Sequence, residues 1–239
     1  MTLACPEFVA SLDPGLCRAV DIYCERTSEA FDAEPINALS NIAFLIAAVL
    51  AWRLHPRANP AAARAVAVLS VMAASIGIGS FLFHIVATRW AEWADVVPIV
   101  AFMLTYMWLA MRWLFGIGAW LRLVLISGFS FLTLGMEWSV PPWLLWGGAY
   151  YIPALLLLAG VVIALHRRCH AAADAMTKAA GVFFLAFIMR SLDTPLCDAL
   201  PTGTHFLWHV FDATFVYLLI RLAILYGAAP ARATAVTCR

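Results

Sequence analysis

The chain has 239 residues, of which 64% are hydrophobic and only 12% are charged. So little charge cannot cover the surface of a soluble protein, so the composition excludes a soluble enzyme and predicts a membrane protein. Fifteen basic residues against fourteen acidic ones give a formal net charge of +1, which excludes the basic excess of a protein that binds nucleic acid.

Seven apolar runs follow one another along the chain, each long enough for a helix to cross a bilayer. None of them has the period-two alternation of an outer-membrane barrel strand. We therefore predict an all-α polytopic membrane protein, a seven-transmembrane helix bundle. The predicted helices cover about 37–54, 66–87, 95–115, 119–137, 148–166, 177–192 and 204–226. Around them we predict an acidic extracytoplasmic segment at 1–36, one transmembrane domain at 37–226, and a short cytoplasmic tail at 227–239.

The basic residues are sorted by the side of the membrane on which this segmentation places them. Eleven of the fifteen fall on the side of the C-terminus, and the other four are Arg18, Arg26, Arg89 and Arg190. The positive-inside rule then predicts a cytoplasmic C-terminus. Because the number of crossings is odd, the N-terminus is predicted to lie outside.

The N-terminal segment carries clustered side-chain oxygens. Asp21, Glu25, Glu34 and Asn37 lie within seventeen residues, just before and inside the first predicted helix. Such oxygens suit a hard cation such as Ca²⁺, although their spacing is not that of an EF-hand loop. The alternative is a solvated acidic flank, or a Glu34 side chain that caps the first helix. Composition alone favours this alternative.

Ionisable and polar residues interrupt three of the predicted helices. The second ends with Ser80 and His84, four residues apart and therefore on one face. The third opens with Asp95. The seventh begins with His205 and His209, again four apart, and Asp212 follows three residues later. Because the second helix runs outward and the other two run inward, all these groups are predicted to lie at one depth in the outer part of the membrane.

Three histidines at one depth predict a metal site. Two His at i and i+4 can bind one ion, and a third from a neighbouring helix leaves one tetrahedral position open, as in catalytic zinc sites. An ionisable residue in hydrocarbon is expensive and so is a functional candidate by default. The alternative is a chance spacing, with each buried His held by ordinary hydrogen bonds. The match in depth with Ser80, His84 and Asp95 favours the metal site.

The six cysteines are also sorted by topology. Cys24 and Cys197 both fall on the outer side, in an oxidising compartment, so they can form a disulfide. Cys5 and Cys17 can pair as well. Cys169 and Cys238 fall inside and are predicted to be free thiols.

Taken together, these motifs resemble the alkaline ceramidase family. The matching stretches are 34–41 (EPINALSN), 79–84 (GSFLFH), Asp95 with Pro98, and 205–209 (HFLWH). That family belongs to a superfamily of seven-helix membrane hydrolases that includes the adiponectin/progestin receptors and the Per1 lipid-remodelling proteins. The resemblance extends from about residue 21 to 220. Each motif alone is weak, but their order on the second, third and seventh helices is specific.

The resemblance implies a zinc-dependent site. His84, His205 and His209 would bind Zn²⁺, with Ser80 and Asp95 beside the attacking water. The ion would lower the pKa of that water and polarise the amide carbonyl. Asp95 would take the proton and pass it to the leaving amine, and Ser80 would donate a hydrogen bond to the developing oxyanion. The expected reaction is hydrolysis of ceramide, or a related N-acyl lipid, to a fatty acid and a sphingoid base or other amine.

The resemblance also implies a Ca²⁺ site near the zinc. Asp21, Glu25 and Glu34 match its acidic positions best, with Asn37 as a further ligand, although the segment Asp21–Glu25 is one residue longer than the family's pattern. Cys24 and Cys197 fall where the family has a disulfide. Arg190 and Asp193 resemble the family's Arg-x2-Asp, before Cys197.

Two other functions share parts of this pattern. A receptor of the adiponectin/progestin type would carry the same zinc triad, but the short inner tail argues against a signalling domain. A proton-coupled transporter would use His and Asp as a relay, but it should show inverted repeats, and none is visible. The membrane-lipid substrate is predicted to approach from the bilayer.

The residue usage also bears on the location of the protein. One Lys against fourteen Arg, with many Ala, suggests a GC-rich bacterial genome. We therefore expect a bacterial inner membrane, with the site towards the periplasm; in a eukaryote the ER or Golgi membrane would be expected.

Overall fold

In the computed structural model, residues 5–141, 144–168 and 170–228 are described. Those residues are mainly helical and form no β-strand, and an isolated bridge joins Ala19 to Thr88. The predicted free thiols Cys169 and Cys238, and most of the predicted tail, lie outside the described residues.

Nine α-helices occur in the described part of the chain. They are α1 (Glu7–Leu12), α2 (Pro35–Ser40), α3 (Ile42–Leu54), α4 (Pro60–Val86), α5 (Arg89–Phe115), α6 (Ala119–Ser139), α7 (Ile152–Arg167), α8 (Ala173–Leu192) and α9 (His205–Tyr226). Seven spans among them are long and apolar enough to cross a membrane, and α2 with α3 makes the first. The predicted fold class, an all-α bundle with seven membrane helices, is therefore confirmed.

Two helices begin about six residues earlier than the sequence predicts. The side chain of Asn59 accepts a hydrogen bond from the backbone N–H of Ala61, and Pro60 fits the first helical position, so α4 begins there. Helix α5 begins at Arg89, whose side chain pairs with Glu92. Arg64 interrupts the apolar run of α4, and Arg89 and Glu92 precede that of α5, so hydropathy alone places both starts too late. Asp95 thus lies in the second turn of α5 instead of opening it.

The surface of the bundle is apolar along the helices. Large side chains on α6 point away from the protein, and Phe131 is 80% exposed. A soluble protein would not tolerate so large an apolar surface, whereas lipid tails cover it without cost. Helices α4 and α9 are the most buried of the seven spans and α6 is the least buried. Ser80 and His84 lie on α4, and His205, His209 and Asp212 lie on α9, so most of the polar residues of interest are on this buried pair.

Helices α4 and α5 approach closely at Gly79. A Cβ atom at this position would overlap the backbone carbonyl of Ala94. Small residues at helix crossings allow this kind of contact inside membranes. The close approach matters because the residues after Gly79 and Ala94 are Ser80 and Asp95.

Replacing Gly79 by Ala is therefore expected to push α4 and α5 apart. Overpacking of this kind costs about 1–3 kcal/mol, so we expect a lower melting temperature in detergent and a loss of activity. Gly128→Ala is the matched control, because a Cβ there meets nothing within 4 Å and Ala is the better helix former. Equal melting temperatures for the two variants would contradict the prediction.

Two disulfides hold the N-terminal segment. Cys5 is bonded to Cys17 within the segment, and Cys24 is bonded to Cys197 in the connection before α9. The second bond joins residues 173 positions apart, against 12 for the first. It therefore ties the segment to the start of α9.

Removing the second disulfide is expected to have the larger effect. A long closed loop restricts the unfolded chain more than a short one. We expect Cys24→Ser with Cys197→Ser to lower the free energy of unfolding by about 2–5 kcal/mol, measured by thermal unfolding without reductant. Cys5→Ser with Cys17→Ser serves as the control and should cost less. A greater loss in the control would contradict this prediction.

Candidate metal centre

Three histidines meet at one end of the bundle. His84 lies in the last turn of α4, and His205 and His209 lie in the first two turns of α9. All three are buried. One ring nitrogen from each lies within 4.8 Å of the other two, and the Nε2 atoms of His84 and His209 are 3.2 Å apart. No other group of three or more His, Cys, Asp or Glu within the described ranges has this geometry.

Two of the rings are oriented by hydrogen bonds at their other nitrogen. The Nδ1 atom of His84 lies 2.6 Å from Oε2 of Glu34, and Nδ1 of His209 lies 2.6 Å from Oγ of Ser40. Metal-binding histidines are usually held in this way, because the partner fixes the ring and its tautomer. Both rings therefore turn Nε2 towards the centre of the cluster. The sequence patterns did not identify Ser40 as a partner.

The third ring, His205, is held by stacking. Its plane lies 16° from that of Tyr23, with the ring centroids 3.7 Å apart, and its Nδ1 has no hydrogen-bond partner among the described residues. Burial raises the pKa of Tyr23 above its ordinary range, so the phenol stays neutral. Tyr23 was also missed by sequence reasoning. Its position beside Cys24, whose partner lies eight residues before His205, was the signal that pointed to it.

Asp193 holds the start of α9 against the N-terminal segment. Its Oδ1 accepts hydrogen bonds from the backbone N–H groups of Thr204 and His205, and its Oδ2 accepts one from Cys24. Gly203, with a φ of +61°, lies so close that a Cβ there would overlap this carboxylate. Both carboxylate oxygens of Asp193 thus accept hydrogen bonds from the backbone that positions His205.

Ser80 and Asp95 line the same cavity as two of the three histidines, His205 and His209. This cavity, of about 60 Å³, is bounded by Ser80, Asp95, His205, His209 and the buried guanidinium of Arg190, among other residues. The Asp95 carboxylate interacts with Ser80 and His84. Its Oδ1 is buried and has no hydrogen-bond partner in the described part of the molecule. A buried acceptor without a partner is costly, so Oδ1 of Asp95 is available to a hydrogen-bond donor that enters the cavity.

Asp21, Glu25 and Glu34, the three acidic residues predicted to bind calcium, do not form a cluster like that of the three histidines. Both Glu25 oxygens accept backbone N–H bonds, from Ile36 at 2.7 Å and from Asn37 at 2.8 Å. Glu25, and not Glu34, therefore caps α2 with its side chain, and the alternative assignment of this role to Glu34 is wrong. Asp21 is exposed. Calcium takes six to eight oxygens, and this arrangement does not fit the ion.

Glu34 is instead surrounded by nitrogen donors. Arg26 donates from Nε, Asn37 donates from Nδ2 at 3.1 Å, and His84 contributes Nδ1. Burial acts to raise the pKa of Glu34, but the hydrogen bonds and charges of His84, Arg26 and Asn37 outweigh it and lower that pKa below its usual value. Glu34 is therefore an ionised carboxylate that faces His84.

Arg26 supplies the positive charge beside Glu34. Its side chain is almost fully buried, and its Nη2 donates a 2.8 Å hydrogen bond to the backbone carbonyl of His84. A further bond from Nη1 reaches the carbonyl of Ser28 at 3.1 Å. In the sequence, Arg26 stands out only as one of four basic residues on the outer side, and its pairing with Glu34 was not predicted. Its position next to Glu25, inside an acidic segment, was the feature that indicated an ion pair.

The donor set fits a zinc ion. Three neutral imidazoles are common zinc ligands and leave a fourth tetrahedral position open. Here Nδ1 of His84 and Nδ1 of His209 face oxygen acceptors, so Nε2 is free to bind in both rings. The unpartnered Oδ1 of Asp95 borders the same space.

Two comparisons with known proteins bear on this chain. A family model described as Ceramidase matches residues 22–234, which cover nearly all the described residues and all three histidines. A search of curated proteins found no match.

Proposed function

The chain belongs to the ceramidase family, whose members hydrolyse the amide bond of ceramide within a membrane, and we propose that it does so with Zn²⁺ bound by His84, His205 and His209. The resemblance drawn from the sequence motifs is confirmed by the family match. The observation that carries the zinc proposal is the convergence of three buried imidazoles beside Ser80 and Asp95.

A bound zinc ion would polarise the amide carbonyl and lower the pKa of a water in its open position. The protein's own part is to hold the three ligands rigidly. Glu34 and Ser40 support this by fixing the rings of His84 and His209, and Tyr23 does the same for His205 by stacking.

Asp95 is proposed as the general base and acid. Its unpartnered Oδ1 can accept a proton from the attacking water and return it to the nitrogen of the leaving amine. Ser80 is proposed to donate a hydrogen bond to the oxyanion that develops on the carbonyl oxygen. Both residues share a cavity with His205 and His209, which supports both roles.

A second, larger cavity suits a lipid chain. It has a volume of about 160 Å³ and is lined mainly by apolar side chains of α5, α7, α8 and α9. It shares Ile76, Ile99, Tyr151 and Trp208 with the smaller cavity. A chain in the larger cavity would therefore bring its amide to the histidines without leaving the bundle.

The location of the protein is a proposal. The sorted basic residues favour an N-terminus outside and a site towards the periplasm of a bacterial inner membrane. Calcium, which the family resemblance implies, is not supported by the contacts of Glu25 and Glu34. We propose that Arg26 supplies the positive charge in this region instead.

The experiment that tests the proposal measures metal and turnover together. We expect the protein purified in detergent to contain about one zinc per chain and to release fatty acid from ceramide. Removal of zinc with a strong chelator should abolish release, and added Zn²⁺ should restore it. As a control, a calcium-selective chelator should leave activity unchanged. A metal-free protein that remains fully active would overturn the zinc mechanism.

A further inference from the structure

Asp212 is a carboxylate inside the larger cavity. It lies on α9, one turn beyond His209, and only 5% of it is exposed. Among the described residues that line this cavity, Asp212 is the one with a charged side chain. Within the described residues its side chain forms no hydrogen bond and no salt bridge.

A hydrocarbon chain has no polar atom that could hydrogen-bond a carboxyl group in this cavity. A carboxyl group inside a membrane protein is costly unless it faces a polar partner. The charge that acts on Asp212 is that of Asp95, which has the same sign and cannot pair with it. The described part of the chain therefore offers Asp212 no donor, and a donor on the ligand would supply its partner.

The position of Asp212 restricts where that donor lies on the ligand. His205, His209 and Asp212 share one side of α9, because residues three, four and seven apart are neighbours on a helix. Three residues of helix span about 4.5 Å. When an amide carbonyl is at the histidines, Asp212 would thus lie beside the first few carbons of an acyl chain in the larger cavity.

We infer that Asp212 recognises a hydroxyl group on the acyl chain close to the amide carbonyl. The preferred substrates are then N-acyl lipids whose fatty acid is hydroxylated at carbon 2 or carbon 3. A carboxyl group can hydrogen-bond a hydroxyl in either protonation state. This inference rests on the proposed amide hydrolysis and adds to it a substrate class and a specificity-determining residue.

The test compares substrates that differ only in the hydroxyl group. Ceramides with 2-hydroxy, 3-hydroxy and unsubstituted acyl chains of equal length are hydrolysed by the wild-type protein, by Asp212→Asn and by Asp212→Leu. We expect wild-type kcat/KM to be about 10- to 100-fold higher for a hydroxylated chain, because an unsubstituted chain leaves Asp212 unpaired. Asp212→Asn keeps an acceptor and should retain much of this preference. Asp212→Leu should lose it while still cleaving the unsubstituted ceramide.

Phe215→Leu is the matched control, since Phe215 lines the same cavity about one turn further along α9. It should change the fit of all three acyl chains to a similar extent and leave their ratio intact. A reduced ratio in this variant would mean that cavity shape, and not the carboxyl group, sets the preference, which would overturn the inference.

A binding measurement separates this inference from the proposed function. Free 2-hydroxy, 3-hydroxy and unsubstituted fatty acids are added, and the melting temperature of each variant is recorded. Hydroxy acids should stabilise wild-type protein more than unsubstituted acids do, and this difference should vanish in Asp212→Leu.

An absence of turnover with every ceramide would refute the proposed function, and the binding difference would then decide this inference alone. Wild-type protein that prefers no hydroxylated chain in either measurement would overturn it. If Asp212→Leu does not fold, the wild-type and Asp212→Asn ratios decide.

Discussion

His209→Ala is expected to yield a protein that folds but retains almost no zinc and almost no ceramide hydrolysis. The substitution leaves two imidazoles in the cluster, and it also removes the Nδ1 atom that is hydrogen-bonded to Oγ of Ser40. A metal ion provides several kcal/mol of charge stabilisation in such reactions. A loss of about 4 kcal/mol corresponds to a fall in turnover of about a thousandfold. Zinc per chain and fatty-acid release are the two measurements.

The matched control for this variant is His166→Ala. His166 is exposed near the C-terminal end of α7, where its ring contacts Thr177, and it is not part of the cluster. Its replacement should leave zinc content and turnover near the wild-type values. Full activity in His209→Ala, with one zinc per chain, would refute the assignment of the histidines as ligands.

Arg26→Ala is expected to have the second largest effect, although Arg26 contacts neither substrate nor metal. Without its guanidinium, Glu34 keeps a buried negative charge with no ionic partner from the N-terminal segment, and the carbonyl of His84 loses a donor. Breaking a buried ion pair costs about 3–5 kcal/mol. Loss of the outer support of a metal ligand usually weakens metal binding by about 10- to 100-fold. Melting temperature and zinc affinity should therefore both fall.

A double variant separates the two effects. Arg26→Met with Glu34→Gln removes both charges, so it should recover most of the stability. It should not recover the zinc affinity, because a neutral amide is a weaker partner for Nδ1 of His84 than a carboxylate is. Arg89→Ala is the control, since its pair with Glu92 is largely exposed and such pairs contribute little. An Arg26→Ala protein as stable as Arg89→Ala would contradict the positioning role.

Much of the fold was predictable because hydropathy is a local property. Each apolar run is set by its own residues and by the thickness of the bilayer, so seven spans were identified in the correct order. The starts of α4 and α5 were placed too late, because Asn59 and Arg89 act through capping and pairing outside the apolar length. The segment boundaries at residues 36 and 226, and the orientation of the termini, stay predictions.

The candidate site was predictable in part for the same reason. The spacing of four between His205 and His209 places both on one helical face whatever surrounds them. The depth of Ser80, His84 and Asp95 followed from the order of the helices. The structure brings Ser80 and Asp95 to one cavity with His205 and His209, and it brings His84 into the cluster with these two histidines. Their roles in binding and catalysis stay proposals.

The sequence by itself determined the class of protein, the seven spans, the cysteines that can pair and the three histidines at one depth, because each depends on composition or on helical period. Only the tertiary structure decided which partners those residues have. Glu34 faces Arg26 and His84, Tyr23 stacks on His205, and Asp212 lines the larger cavity. Such contacts depend on which helix faces meet and on where a disulfide fixes an irregular segment, and no local pattern in the chain encodes them.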